Sequence, residues 1–138
     1  MRLVLSECDC NRLFFPIPFV PRIEYAAQYA AVIIDPAVQH AALHAGITGQ
    51  ALVLEMTSLG LGSCWVSGNF RRSAVDILLV GREKVVAVIP FGHPAPQSAG
   101  DRKRKPLKEL CLDDPAEWPN WAFQAAEAAR QAPSAINA

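Results

Sequence analysis

Three stretches of this chain hold residue types from which chemistry is built. The first is Arg102-Lys103-Arg104-Lys105-Pro106, four consecutive cations followed by a proline that fixes the backbone. In an extended segment alternate side chains share a side, so Arg102 and Arg104 project together, and guanidinium forks suit the oxygens of a phosphate monoester. The same run reads equally as a solvated surface loop. It lacks interleaved aromatics and a second basic face, so no nucleic-acid partner is expected. The second stretch is residues 59–70, Leu-Gly-Leu-Gly-Ser-Cys-Trp-Val-Ser-Gly-Asn-Phe, where an apolar helical pattern breaks on glycines and passes into a short strand. Glycines there permit left-handed dihedrals and close backbone approach, so backbone N–H groups could meet the edge of a planar ligand. Packing alone would account for the same pattern. The third is Ala132-Pro133-Ser134-Ala135-Ile136-Asn137, a turn after a helix that offers a hydroxyl and an amide.

The remaining reactive residues read as structural. His40 and His44 stand four apart, as a helical zinc pair would, but no glutamate follows His40 and no third ligand is evident, so no metal is expected. His93, after Gly92, reads as a loop residue at a strand end or as a general acid. Glu55 is expected to pair with an arginine across the core, because an unpaired buried carboxylate costs several kcal/mol. Trp65 and Phe70 read as core residues, although tryptophan beside a glycine turn can wall a flat ligand. Cys64 reads as a small buried residue. Cys8 and Cys10 form a Cys-x-Cys pair with no second pair after it, and all four cysteines are expected to be free thiols.

The elements that must position these residues are constrained by size and composition. The 138 residues suffice for one domain's core, 51% of them are hydrophobic, and net charge is zero, so anion binding must arise from local clustering. No signal peptide is visible, and the apolar stretch 37–61 is interrupted by two histidines, Gln50, Glu55 and glycines, so no membrane span is expected and the cytoplasm is the default location.

Residues 1–21 read as irregular or non-native, because Pro16, Pro18 and Pro21 punctuate an apolar stretch. Residues 27–34 read as a buried strand and 37–58 as a helix capped by Asp35, hydrophobic nearly all round and therefore buried between layers or at a subunit interface. Strands are expected at 63–66 and 84–91, and a short amphipathic helix at 72–80. Beyond these come one or two helical turns at 106–111 and a final helix from Asp113-Asp114-Pro115 to Ala132. This succession implies a layered α/β or α+β domain, and the absence of Gly-x-Gly-x-x-Gly after the first strand argues against a dinucleotide fold.

The three stretches, in this order, resemble the FMN-dependent nitroreductase family, in the branch whose single chain fuses two half-domains. Gly49-Gln50-Ala51-Leu52-Val53-Leu54 leading into 59–66 is similar to that branch's central helix and flavin-facing loop. Residues 86–95 and then Arg104-Lys105-Pro106-Leu107 resemble the next strand and phosphate loop, and 129–137 resembles the helix end with its Ala-Pro-Ser-x-x-Asn turn. The resemblance covers residues 22–138. It implies an α+β sandwich with a mixed sheet, a long buried central helix, bound FMN, and a flavin site shared across two halves. Trp65, Ser67 and Gly68 would then lie by the flavin ring, with the Gly68 N–H donating to its N5. Arg102 and Arg104 would hold the phosphate, and Pro133, Ser134 and Asn137 would come from the second half and close over the flavin. NAD(P)H would reduce the flavin, which would pass electrons to a nitroaromatic or quinone, the cofactor supplying the chemistry and the protein its position. The family's opening Arg-x-Ser-x-Arg segment has no match, and the Gln-Pro-Trp expected after Asn137 is missing. The expectation is thus an internal fragment whose partner is a second half-domain or a second copy. The competing expectation is a catalytically silent module that keeps the fold for binding or assembly.

Overall fold

A computed structural model describes residues 1–18, 22–94 and 104–134. The chain divides into two compact units, Met1–Pro96 and Gln97–Ala138.

The first unit is built on a four-stranded sheet of order β1-β2-β4-β3, with β1 at Arg2–Glu7, β2 at Gln28–Ile34, β3 at Gly62–Ser63 and β4 at Lys84–Gly92. β2 is buried along its whole length after Gln28, and its alternation sorts the core into two layers. Tyr29, Ala31 and Ile33 face one side, where they meet Leu13, Phe14, Val66 and Phe70. Ala30, Val32 and Ile34 face the other, where Ala41, Ala45 and Met56 of α2 (Ala41–Ser58) cover them. Both faces are covered, which is why this strand reads as an unbroken apolar run rather than an alternating one. The β2–β4 register shifts between Val32 and Ile33, which pair with Ala87 and Val85. Val86 is therefore the extra residue of a bulge, and the bulge puts Val85 and Val88 on the same face although they are three apart.

The α+β class and the strands expected near 27–34 and 84–91 are present. Every pairing among the described strands is antiparallel, so the mixed character expected of the sheet is not found in them. Residues 1–18 hold a strand and a helical turn. β1 pairs with β2 over six residues, from Arg2 opposite Ile33 to Glu7 opposite Gln28. A single helical turn, α1 at Cys10–Leu13, then delivers Leu13 and Phe14 into the core at 2% and 7% exposure. The prolines come after this point, so they leave β1 and α1 unconstrained.

The α2 helix begins four residues later than expected. Asp35 caps a turn instead of the helix: its Oδ1 accepts the Ala37 N–H at 2.9 Å, and its carbonyl accepts the Val38 N–H at 3.1 Å. His40 then adopts a left-handed φ of 58°, which no helix interior accommodates. The helix ends as its glycines imply. Gly60 has φ +75°, the Leu61 N–H reaches Met56 O at 2.9 Å, and the Gly60 N–H reaches Thr57 O at 3.0 Å. These two bonds make a Schellman motif, and Leu61 packs in the same core layer as Met56. The helix buries one face only: Leu43, Ile47 and Leu54 are each 61% exposed. It is half-buried, not enclosed between layers.

Residues 72–80 form a single 3-10 turn at Arg72–Ala74 and then run irregularly. A nine-residue window is too short to hold a helix by itself, and Val75 and Ile77 pack on the core without one. In the second unit, 3-10 turns at Leu107–Glu109 and Pro115–Glu117 precede α3, Asn120–Gln131. The expected helix from Asp113 is broken because Pro119 keeps Trp118 extended, with ψ 149°. Among the described residues no helix is long and apolar enough to cross a membrane.

Candidate functional site

The glycine–tryptophan run is positioned from both ends by the sheet. β3 pairs with the end of β4, and Val66 forms a bridge with Val88 through reciprocal N–H···O bonds of 2.9 Å. Phe70 bridges to Phe14, and the Arg71 N–H donates to Leu13 O at 2.8 Å. Between the buried Val66 and Phe70 the chain loops outward, leaving Ser67 and Gly68 exposed. Among the described residues, no backbone carbonyl accepts the N–H of either one. A Cβ built on Gly68 would meet nothing within 4 Å. An exposed turn with unclaimed N–H groups and open space over its glycine fits the polar edge of a flat ring.

Trp65 is half-buried on α2 and fixed at two points. Its Nε1 donates to Gln50 Oε1 at 3.1 Å, and its ring occupies the space beside Gly49, where a Cβ would come within 2.2 Å of the ring carbon Cη2. That contact explains why Gly49 interrupts an otherwise good helix sequence. The spacing of Gly49, Gln50 and Trp65 carries no signal by itself, because only the sheet and helix together bring them into contact.

In the second unit two of the expected site residues, far apart in sequence, meet. Arg104 Nη1 donates to Ser134 Oγ at 3.1 Å, and its Nη2 donates to the carbonyls of Gln131 and Ala132 at 3.3 and 3.0 Å. The guanidinium thus caps the C-terminal end of α3, where carbonyls lack intrahelical partners and the helix dipole favours a cation. Pro133 and Ser134 are exposed. Arg102 and Asn137 lie outside the described residues.

Other expectations fare differently. Glu55 is exposed and, among the described residues, makes no ion pair. It sits on the solvent face of α2, so no core arginine is required. Cys64 is exposed instead of buried, although its N–H still donates to Pro90 O of β4 at 3.3 Å. His40 falls outside α2, so it and His44 do not form a helical pair. Among the described residues no group of three or more His, Cys, Asp or Glu side chains could hold a metal ion.

The chain matches a family model described as "Putative TM nitroreductase" over residues 19–138. It belongs to this nitroreductase family. No curated protein matches it. Among solved structures it resembles a protein of Thermotoga maritima described as a "putative nitroreductase", with 25% identity and a TM-score of 0.59, covering 83% of this chain and 46% of that one. The chain therefore spans about half the length of that relative. A nitroreductase family protein of Clostridium difficile aligns with TM-score 0.60 at 18% identity, over 82% of this chain and 73% of that one. One from Desulfovibrio desulfuricans, in complex with FMN, aligns with TM-score 0.57 at 23% identity, over 86% and 73%. These last two share the nitroreductase fold.

Proposed function

We propose that this nitroreductase-family chain contributes to an FMN-dependent oxidoreductase. The family match over residues 19–138, which spans all the candidate site residues, carries this reading. The exposed turn at Ser67 and Gly68 supports it locally. Bound there, FMN would supply two-electron transfer from NAD(P)H to a nitroaromatic or quinone acceptor. The Gly68 N–H would donate to the ring edge, and Ser67 would lie beside it. Trp65, held by Gln50 and Gly49, would keep the strand leading into this turn rigid. Arg102 and Arg104 would bind the phosphate, and Pro133, Ser134 and Asn137 would be contributed to the flavin site from its second half. The exposed apolar face of α2 would be covered by the second half of the shared site, from another copy of the chain. The nitroreductase-like part would run over 22–138, with the strand of 1–21 added to its sheet, in a cytoplasmic protein.

The test is flavin retention on desalting. Gly68→Ala keeps the N–H, and its Cβ would meet no protein atom within 4 Å at a φ outside the left-handed region, so it should fold as the parent chain does and retain more FMN than the proline variant. Gly68→Pro, which removes the donor, should weaken FMN by about tenfold. Equal affinities for the two variants, or no retention by any form, would sink the proposal. One observation favours a catalytically silent member instead: three donor contacts of Arg104 go to its own chain. Retained FMN without NAD(P)H oxidation in the presence of a quinone would select that second reading.

A further inference from the structure

Cys8 and Cys10 lie outside the site described above, and the fold gives them a particular relation. Cys8 extends the β1–β2 ladder by one bond, its N–H donating to Ala27 O at 3.1 Å. At Asp9 the chain leaves the sheet, and the Asp9 carboxylate accepts the N–H groups of Asn11 and Arg12, each at 3.1 Å. Residues two apart on extended chain share a side, and this fixed turn brings the two sulfurs within 3.6 Å of each other. Both are half-buried, yet each opens onto its own cavity. Cys10 lines a cavity of about 130 Å³ with Phe14, Phe15 and Arg71. Cys8 lines one of about 460 Å³ with Arg12 and Tyr29.

We propose that Cys8 and Cys10 form a thiol–disulfide exchange site that takes low-molecular-weight disulfides and closes reversibly to an intramolecular disulfide. The Cys10 sulfur releases its proton to solvent and attacks one sulfur of the small disulfide. That disulfide's S–S bond breaks, and its other half leaves as a thiolate that takes up a proton. The Cys8 sulfur then attacks the Cys10 sulfur of the mixed disulfide, and the second half leaves as a thiol carrying the Cys8 proton. Two protein thiols are oxidised by two electrons, and one small disulfide is reduced to two thiols. The order of attack is set by the surroundings. Burial first, then the hydrogen bond with the Cys10 sulfur and the neighbouring charge, push the Cys8 thiol up to about 12. Burial thus disfavours Cys8 as the first attacking thiolate, and its sulfur, 3.6 Å from that of Cys10, is placed to resolve the mixed disulfide. Closure needs the sulfurs to approach from 3.6 Å to about 2.05 Å. Excess thiol reverses both steps.

The experiment uses the reduced full chain and oxidised glutathione, with an acid quench, alkylation of the remaining thiols, trypsin digestion and mass spectrometry. The expected result is that two of the four thiols escape alkylation together, in the peptide of residues 3–12, which becomes lighter by two hydrogens. Excess dithiothreitol should restore both. Cys8→Ser should stop at a stable glutathione mixed disulfide on Cys10, since no resolving thiol remains. Full alkylation of Cys8 and Cys10 under conditions that modify the exposed Cys64 would overturn the proposal. So would bonds from either to another cysteine or to a second chain. The parent-chain measurement decides the matter even if the variant fails to fold, and neither measurement depends on flavin binding.

Discussion

Trp65 shows how a single side chain can dictate a residue elsewhere. Its indole occupies the place where any side chain at Gly49 would begin, at 2.2 and 2.7 Å from two ring carbons, while Gln50 anchors the ring nitrogen. Gly49→Ala gains up to about 1 kcal/mol of helix propensity, but it must displace the ring from this contact. The expected net loss is about 1–2 kcal/mol in denaturant unfolding, the overpacking cost exceeding the propensity gain. Glu83 supports a pH-dependent prediction. Hydrogen bonds from Arg2 (Nε to Oε1, 2.8 Å) and from the Val80 N–H (2.9 Å) hold its carboxyl down at about 2, against an ordinary 4.5. A depressed carboxyl stabilises the fold above its unfolded value and loses that contribution as pH falls. The stability difference between the parent chain and Glu83→Gln should therefore be constant above pH 4.5 and shrink from there toward pH 2. A difference that grows on acidification would contradict the pairing. At the phosphate end, replacing Arg102 and Arg104 together by Ala should weaken FMN more than riboflavin, because only FMN carries the phosphate. Equal losses, measured by flavin fluorescence titration, would confine Arg104 to capping α3.

Among the elements, α2 is best defined at its end and least at its start. Gly60 closes the Schellman motif at φ +75°, so Gly60→Ala should cost about 1–2 kcal/mol in thermal unfolding, and Gly60→Asn less. That end was legible because glycine after an apolar helical run has a local cause. The start was not, because Asp35-Pro36 suits a helix cap and a turn alike, and the left-handed His40 has no sequence mark. Residues 72–80 were misleading for a related reason: Ala74 and Ile77 point inward, but the sheet accommodates them without a helix. Arg71 performs a task that periodicity cannot reveal. Its Nη1 donates to the carbonyls of Asn11, Arg12 and Phe14, at 3.2, 3.0 and 2.7 Å, and so secures the end of α1. Arg71→Ala should lower stability by about 1–2 kcal/mol, as hydrogen bonds from a charged donor are lost at a largely exposed site.

At the scale of the whole molecule, α2 presents an apolar face to solvent. Leu43, Ile47 and Leu54 stand exposed there while the opposite face seals one layer of the core. Ile47→Lys should leave unfolding stability within about 0.5 kcal/mol. If a second copy covers this face, the same variant should shift sedimentation from dimer to monomer. The residues alone determined a buried strand at 27–34, a strand at 84–91, the glycine end of α2 and the family resemblance. Each depends on local pattern or on motif order along the chain. Tertiary structure alone decided that β1 belongs to the sheet, that Trp65 rests on Gly49, and that Arg104 caps α3 beside Ser134. It also decided that the Cys8 and Cys10 sulfurs touch. These are contacts set by register, by a one-residue bulge and by the turn at Asp9, and hydrophobic periodicity does not encode which side chain will be waiting across such a junction.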